Sequence, residues 1–266
     1  MTAPQAFGQS HGVREVKSAA RTIEVLELLA SRGNSPITIR ELCAAMDAPR
    51  SSVYALLRTL TEAGWVRTDA ARATYSIGIR ALLAGTTYLD ADPLLRVVRP
   101  HLALLGRQVG GTVNFGRLDA GHVVYLASWE APGRERTAPR VGRRLPAHAT
   151  ALGLAILAGL APLDLRSGLP EAPERLTPAT ITSPTALRRE LAAIRRRGYA
   201  VEREQNTPGI ACVAVGMATP GGRDALSVSL PLAELTPVRE RDIADALLAS
   251  ASAMADVLTG VEGLLG

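Results

Sequence analysis

Residues 38–77 carry the pattern that most narrows the possible folds. Thr38 stands where a helix N-cap belongs, with Glu41 three residues on. In that arrangement the threonine hydroxyl and the glutamate carboxylate each satisfy a backbone N–H left free at a helix start. The short helix so opened runs through Met46, and Asp47, Ala48 and Pro49 break it. Pro49 fits the first turn of the next helix, residues 50–61, where a missing N–H costs nothing, and Gly64 ends that helix. Short helix, short break and longer helix closed by glycine is the spacing of a helix-turn-helix. Two alternating runs follow, residues 65–68 and 73–77, joined by a polar turn from Asp69 to Arg72, and they read as a hairpin, the wing. Upstream, Ala20, Ile23, Leu26 and Leu29 recur at three-residue steps, with Ala19 and Leu28 widening the stripe, so a first amphipathic helix is predicted over residues 17–30.

The longer helix buries Val53, Leu56, Leu57 and Leu60 and turns small or basic side chains outward. Small residues let a helix lie deep in a DNA groove, hydroxyls and free N–H groups at its start reach phosphates or base edges, and arginine forks suit phosphate and guanine. The candidate DNA contacts are Arg50, Ser51, Ser52, Tyr54, Ala55, Arg58 and Thr59 on the helix, with Arg67 and Arg72 on the wing. No acidic residue interrupts that face before Glu62. The formal charge of +5 agrees, and Lys17 is the only lysine, so the positive charge rests on arginine.

At 266 residues the chain is long for one domain and comfortable for two, since domains usually run about 100–200 residues. A content of 47% hydrophobic and 21% charged residues supplies real cores and excludes a disordered chain. Past the wing come two helices, residues 79–88 and 94–109, punctuated by Asp92 and Pro93. Then strands alternate with helices: strands at 112–116, 122–129, 199–204, 212–217 and 225–230, and helices at 149–160, 185–197 and 238–258. Antiparallel strands with segregated helices indicate an α+β domain rather than a parallel nucleotide-binding sheet. Ser227 and Ser229 alternate with apolar residues and so share one strand face, and Cys212 begins the neighbouring strand. No GxGxxG, Walker loop or metal-spaced His/Cys cluster appears, so neither cofactor nor metal is expected. Cys43 and Cys212 lie far apart, residues 1–12 hold no apolar leader, and the apolar stretch at 149–160 falls short of the ~20 residues that cross a bilayer. A cytoplasmic protein with no membrane partner is expected.

These residues also carry a family resemblance. The run from Arg197 through Glu202, Asn206 and Cys212 to Ala214, the stretch from Leu145 to Gly153, and the opening Val16-Lys17-Ser18-Ala19 resemble the IclR-type transcriptional regulators over essentially the full chain. The resemblance implies a tail over residues 1–13, a winged helix-turn-helix over 14–80, a helical linker over 81–110 and a GAF-like effector-binding domain with an antiparallel sheet over 111–262. It implies homodimers that pair into tetramers, a palindromic double-stranded DNA operator, and a small organic or aromatic acid as effector, with repression favoured over activation. Effector contacts carried over from the family fall on Ala151, Leu152, Glu202, Cys212, Ser227 and Ser229, and His148 joins them on the loop before the apolar helix. Three positions depart from the family's habit: Glu202 stands where Asp is usual, Gln205 where an acid is usual, and Leu154 where lysine is common.

Two rival readings centre on Cys212. With His148 as base it makes a nucleophile for a hydrolase, and with Arg203 nearby in sequence it makes a low-pKa thiol for redox sensing. Neither has a third orienting group or a polar setting in the sequence, so no enzymatic activity is expected.

Overall fold

Thr38 and Glu41 form the reciprocal cap that their spacing predicts: the Thr38 N–H donates to Glu41 Oε2 at 2.8 Å and the Glu41 N–H donates to Thr38 Oγ1 at 3.3 Å. The computed structural model describes residues 16–33, 35–69, 71, 73–133, 141–169, 172–219 and 221–265. The expected tail at 1–13 and Arg72 of the wing lie outside these residues. The chain divides into two compact units, Met1–Ala91 and Asp92–Gly266.

The first unit runs α1 (Lys17–Ser31), β1 (Ile37–Thr38), α2 (Ile39–Ala45), α3 (Arg50–Glu62), β2 (Val66–Asp69), β3 (Thr74–Ile77) and α4 (Ile79–Ala91). Its core joins Val25 and Leu29 of α1 to Leu42, Val53, Leu57, Leu60 and Val66. The hairpin is an antiparallel pair with Arg67 opposite Ser76. The two-residue strand β1, which the sequence pattern does not reveal, adds to its far edge in the order β1-β3-β2. Two expectations are corrected. Ile23 is 42% exposed and not part of the buried face. Three-residue steps walk back around a helix by about 60° each, so the four stripe residues fan out, while the i,i+4 pair Val25 and Leu29 faces the core. Pro49 is the residue before the helix, in extended conformation (ψ 140°), not within its first turn.

The second unit begins with α5 (Pro93–Val109), whose Leu94, Leu95, Val98, Leu102 and Leu105 are buried, whereas α4 buries none of its residues fully. The two helices that the sequence groups as one linker therefore go to different units, with Asp92 as the first residue of the second. Next come β4 (Thr112–Asp119), β5 (His122–Trp129), β6 (Arg144–Pro146), α6 (Ala151–Gly159), α7 (Pro162–Gly168), α8 (Pro184–Arg197), β7 (Ala200–Arg203), β8 (Ile210–Gly216), β9 (Asp224–Pro231) and α9 (Pro237–Leu265). Six strands make one antiparallel sheet in the order β6-β5-β4-β9-β8-β7. Helix α6 covers one face, with α8 packed against α6, and α5 and α9 cover the other. Strands β4 and β9 are buried along nearly their whole length, as expected of strands covered on both faces.

Helix α6 is the centre of this unit. Leu152, Leu154, Ile156 and Leu157 are each at most 1% exposed, and each such side chain contributes about 1.5–3 kcal/mol of burial. Thr150 Oγ1 accepts the Gly153 N–H at its start (3.1 Å), and Arg195 Nε of α8 donates to the Ala158 carbonyl near its end (2.6 Å). Gly153 packs against the backbone of the turn that leads into the helix, where a Cβ would run into Ala147. Gly153→Ala should therefore cost about 1–3 kcal/mol in urea unfolding. Gly159→Ala in the same helix, with nothing within 4 Å of its Cβ, should be neutral or slightly stabilising.

Candidate functional site

In α3 the outward residues Arg50, Ser51, Tyr54, Ala55, Arg58 and Thr59 are exposed and Ser52 is half-buried. The start of α3 has no side-chain cap: the Pro49 carbonyl accepts the Ser52 and Val53 N–H groups, and no side chain covers those of Arg50 and Ser51, in contrast to the closed box at the start of α2. Arg58 is not wholly available: its Nε lies 3.5 Å from Glu62 Oε1, both side chains 70% exposed. The Thr59 hydroxyl donates back to the Ala55 carbonyl (3.1 Å). On the wing, Arg67 Nε donates to Ser76 Oγ at 2.7 Å, which fixes its side chain along the hairpin.

The second unit holds a cavity at the head of α6. Its walls include Ala151 and Leu152 from the helix, and Glu202, Cys212 and Ser227 from the adjoining strands β7, β8 and β9. The register explains the gathering. Glu202 pairs with Cys212, Cys212 with Ser229 and Ala214 with Ser227, so these side chains stand on the sheet face that α6 covers. Ala200, Ala214 and Ala225 on the same face are small enough to leave room beneath the helix. The space is tight, with about 10 Å³ open to the centre of a water molecule.

Glu202 is 2% exposed, and its Oε1 accepts the Asn206 N–H at 3.1 Å. A buried carboxylate needs such donors, because burial without them is expensive. Asn206 and Thr207, which also line the cavity, belong to the β7–β8 loop, and that loop is stapled from outside. Thr177 Oγ1 donates to the Glu204 carbonyl (2.6 Å), Thr180 Oγ1 donates to the Gln205 carbonyl (2.7 Å), and the Gly209 N–H donates to Glu204 Oε1 (2.8 Å). Glu204 itself adopts φ +57°. Behind the cavity a polar seam crosses the sheet: Cys212 Sγ and Ser229 Oγ lie 3.2 Å apart, Asn114 Nδ2 donates to Ser229 Oγ, and Ser128 Oγ donates to Asn114 Oδ1.

Five of the seven expected effector residues therefore meet at one cavity, and two stand outside its walls. Ser229 lies one register step on, within the seam. His148 is buried in the turn before α6, with Nε2 donating to the Glu174 carbonyl (2.9 Å) and Nδ1 buried without a partner among the described residues. His148 is not among the residues that line the cavity with Cys212, so the two are not brought together as base and nucleophile. Arg203 and Ala211 are opposite one another on the other face of the sheet from Cys212, and Arg203 is ion-paired with Glu240, so it does not serve the thiol.

Sequence reasoning missed Tyr125, Thr150, Asn206, Thr207 and Ile210. Tyr125 is on the cavity face through a β-bulge between Phe115 and Gly116, which sets both Ser128 (opposite Asn114) and Tyr125 (opposite Gly116) on that face despite their odd spacing. Thr150 had a signal, as the N-cap threonine of the apolar helix.

The family model for the IclR helix-turn-helix domain matches residues 18–70, and that for the bacterial transcriptional regulator IclR C-terminal domain matches residues 86–256. The HTH-type transcriptional regulator BhcR of Paracoccus denitrificans is 32% identical over 239 residues, covering 89% of this chain and 85% of its own. The transcriptional repressor IclR of Escherichia coli is 30% identical over 234 residues, covering 85% and 84%. Among solved structures, an IclR transcriptional regulator from Alicyclobacillus acidocaldarius superposes with a TM-score of 0.78 at 26% identity, over 91% of this chain and 99% of that one.

The capping box gives the first unit a pH signature. The Thr38 backbone N–H, then its hydroxyl, hold the Glu41 carboxyl below its ordinary value near 4.5. A depressed carboxyl stabilises the fold above that ordinary value and loses the contribution as pH falls through the lower folded value. The protection of α2 amides, taken relative to the intrinsic exchange rate at each pH, should therefore fall on acidification from about pH 6 to pH 3, and Glu41→Gln should flatten that dependence.

Proposed function

The chain belongs to the IclR family of bacterial transcriptional regulators, and we propose that α3 reads a palindromic operator while the cavity at the head of α6 binds a small organic or aromatic acid that alters operator affinity. The observation that carries the reading is the convergence of Ala151, Leu152, Glu202, Cys212 and Ser227 on one cavity. The start of α6 offers N–H groups and the positive end of a helix dipole to an acid's carboxylate. Ser227 and Tyr125 add hydroxyls, and Glu202 accepts from a donor on the ligand, so an acid that also bears a hydroxyl fits best. An acid with an aromatic ring needs more room than this tight space gives, so the walls part to admit it. That opening makes the site a switch.

At the other end, Arg50 and the uncapped start of α3, with Ser51 and Ser52, contact phosphates and base edges, while Tyr54, Ala55 and Thr59 lie along the groove and Arg67 meets the backbone from the wing. Two copies of this unit, in a homodimer or a dimer of dimers, read the two halves of the operator. The protein acts as a cytoplasmic repressor, without catalysis. Among the described residues, no helix is long and apolar enough to cross a membrane.

A duplex selected from random sequence by the wild-type protein tests the DNA side. Arg50→Ala should cost about 1–3 kcal/mol of affinity and lower the salt slope by about 1. Arg58→Ala should cost less, because Glu62 already engages that guanidinium. Unchanged affinity and slope in Arg50→Ala would remove α3 from the interface. A thermal-shift screen of hydroxy acids and aromatic acids tests the cavity. A ligand at 100 times its Kd stabilises the native state by about 2.7 kcal/mol, and Ser227→Ala should reduce the shift. A shift that Ser227→Ala and Glu202→Gln both leave intact would place the ligand elsewhere.

A further inference from the structure

Asp92 is the first residue of the second unit and directly follows the last residue of α4. It performs two tasks at once. One oxygen, Oδ1, accepts the Leu94 N–H at 2.9 Å and caps α5. The other, Oδ2, is held at 2.6 Å by Arg117 Nη1. Arg117 belongs to β4, and its Nε reaches Asp224 Oδ1 on β9, also at 2.6 Å. Asp224 Oδ2 in turn accepts the Thr219 hydroxyl at 2.8 Å. Both carboxylates are almost fully buried, at 7% and 4% side-chain exposure, against 27% for Arg117. A buried carboxylate persists only where it is paired and hydrogen-bonded, so this is a fixed junction and not a loose surface contact. The guanidinium is suited to it because a planar fork addresses two acceptors in set directions, which a lysine ammonium does not.

We propose that Arg117 is the positioning residue that ties the domain junction to the sheet: by clamping Asp92 to Asp224, it fixes where the chain leaves the second unit toward α4. Strand β9 carries both Asp224, at one end of the clamp, and Ser227, in the cavity wall three residues away. A ligand that displaces β9 therefore pulls on Asp92 through this clamp. This last step rests on the proposed effector site, while the clamp itself does not.

Hydrogen exchange of the full-length protein without any ligand or DNA tests the clamp. In Arg117→Met, amides of residues 88–96 should exchange about tenfold faster or more, while the interiors of β4 and β9 keep their protection. Arg117→Lys, which reaches one carboxylate at a time, should fall between. Asp92→Asn keeps the cap, because asparagine caps helices well, but loses the ion pair. It should free residues 88–92 while the first turn of α5 stays protected. Should Arg117→Met fail to fold, Asp92→Asn leaves the Arg117–Asp224 pair in place and carries the test. Unchanged exchange at the junction in a folded variant overturns the proposal, as does acceleration spread evenly through the sheet, which would make Arg117 a strut of the sheet alone. Because no ligand enters the measurement, its outcome is independent of whether the effector site is correct.

Discussion

A helix without a polar face can exist only where protein surrounds it, and α6 imposes that requirement on the whole second unit. Every residue from Ala151 to Ala158 is buried, so sheet, α8 and the preceding turn must close around it. Its ends are the difficulty, since four N–H groups at the start and four carbonyls at the finish have no partner within the helix. Thr150 and Arg195 each satisfy one of them. Ala151 and Leu152 of its first turn line the same cavity as the polar side chains of Glu202, Cys212 and Ser227. The cavity is thus a by-product of burying a helix end, and its chemistry follows from what a buried helix end can tolerate.

The first unit was almost fully legible because its signals are local. A capping threonine, a proline ahead of α3, a glycine at its end and a hairpin turn each act within four residues. Where sequence reasoning erred, it trusted periodicity over geometry: Ile23 fits a three-residue rhythm but sits about 160° around the helix from Val25. It missed the two shortest strands, β1 and β6, of two and three residues, which no period can establish, and α7, of seven residues, which lacks the side-chain cap that marked α2.

In the second unit the alternation of Ser227 and Ser229 marked their shared face correctly. The resemblance brought Ala151, Leu152, Glu202 and Cys212 to the same cavity. Tyr125 escaped because a bulge breaks alternation at one point, and no pattern in β5 marks where. Asn206 and Thr207 escaped because a loop has no period. The Arg117 clamp joins residues 25 and 107 positions apart in the chain, so only the folded sheet brings its members together. Glu202 and Leu154, two of the three positions at which the resemblance leads one to expect another residue, are both buried.

The stapled loop has a consequence for sensitivity. If the cavity opens in only a fraction of molecules, the apparent dissociation constant is the intrinsic one divided by that fraction. On the proposed effector site, the hydroxyls of Thr177 and Thr180, which bond the loop without lining the cavity, would therefore help set the concentration at which the regulator responds. Evolution can retune that threshold at these two positions while leaving every ligand contact as it is.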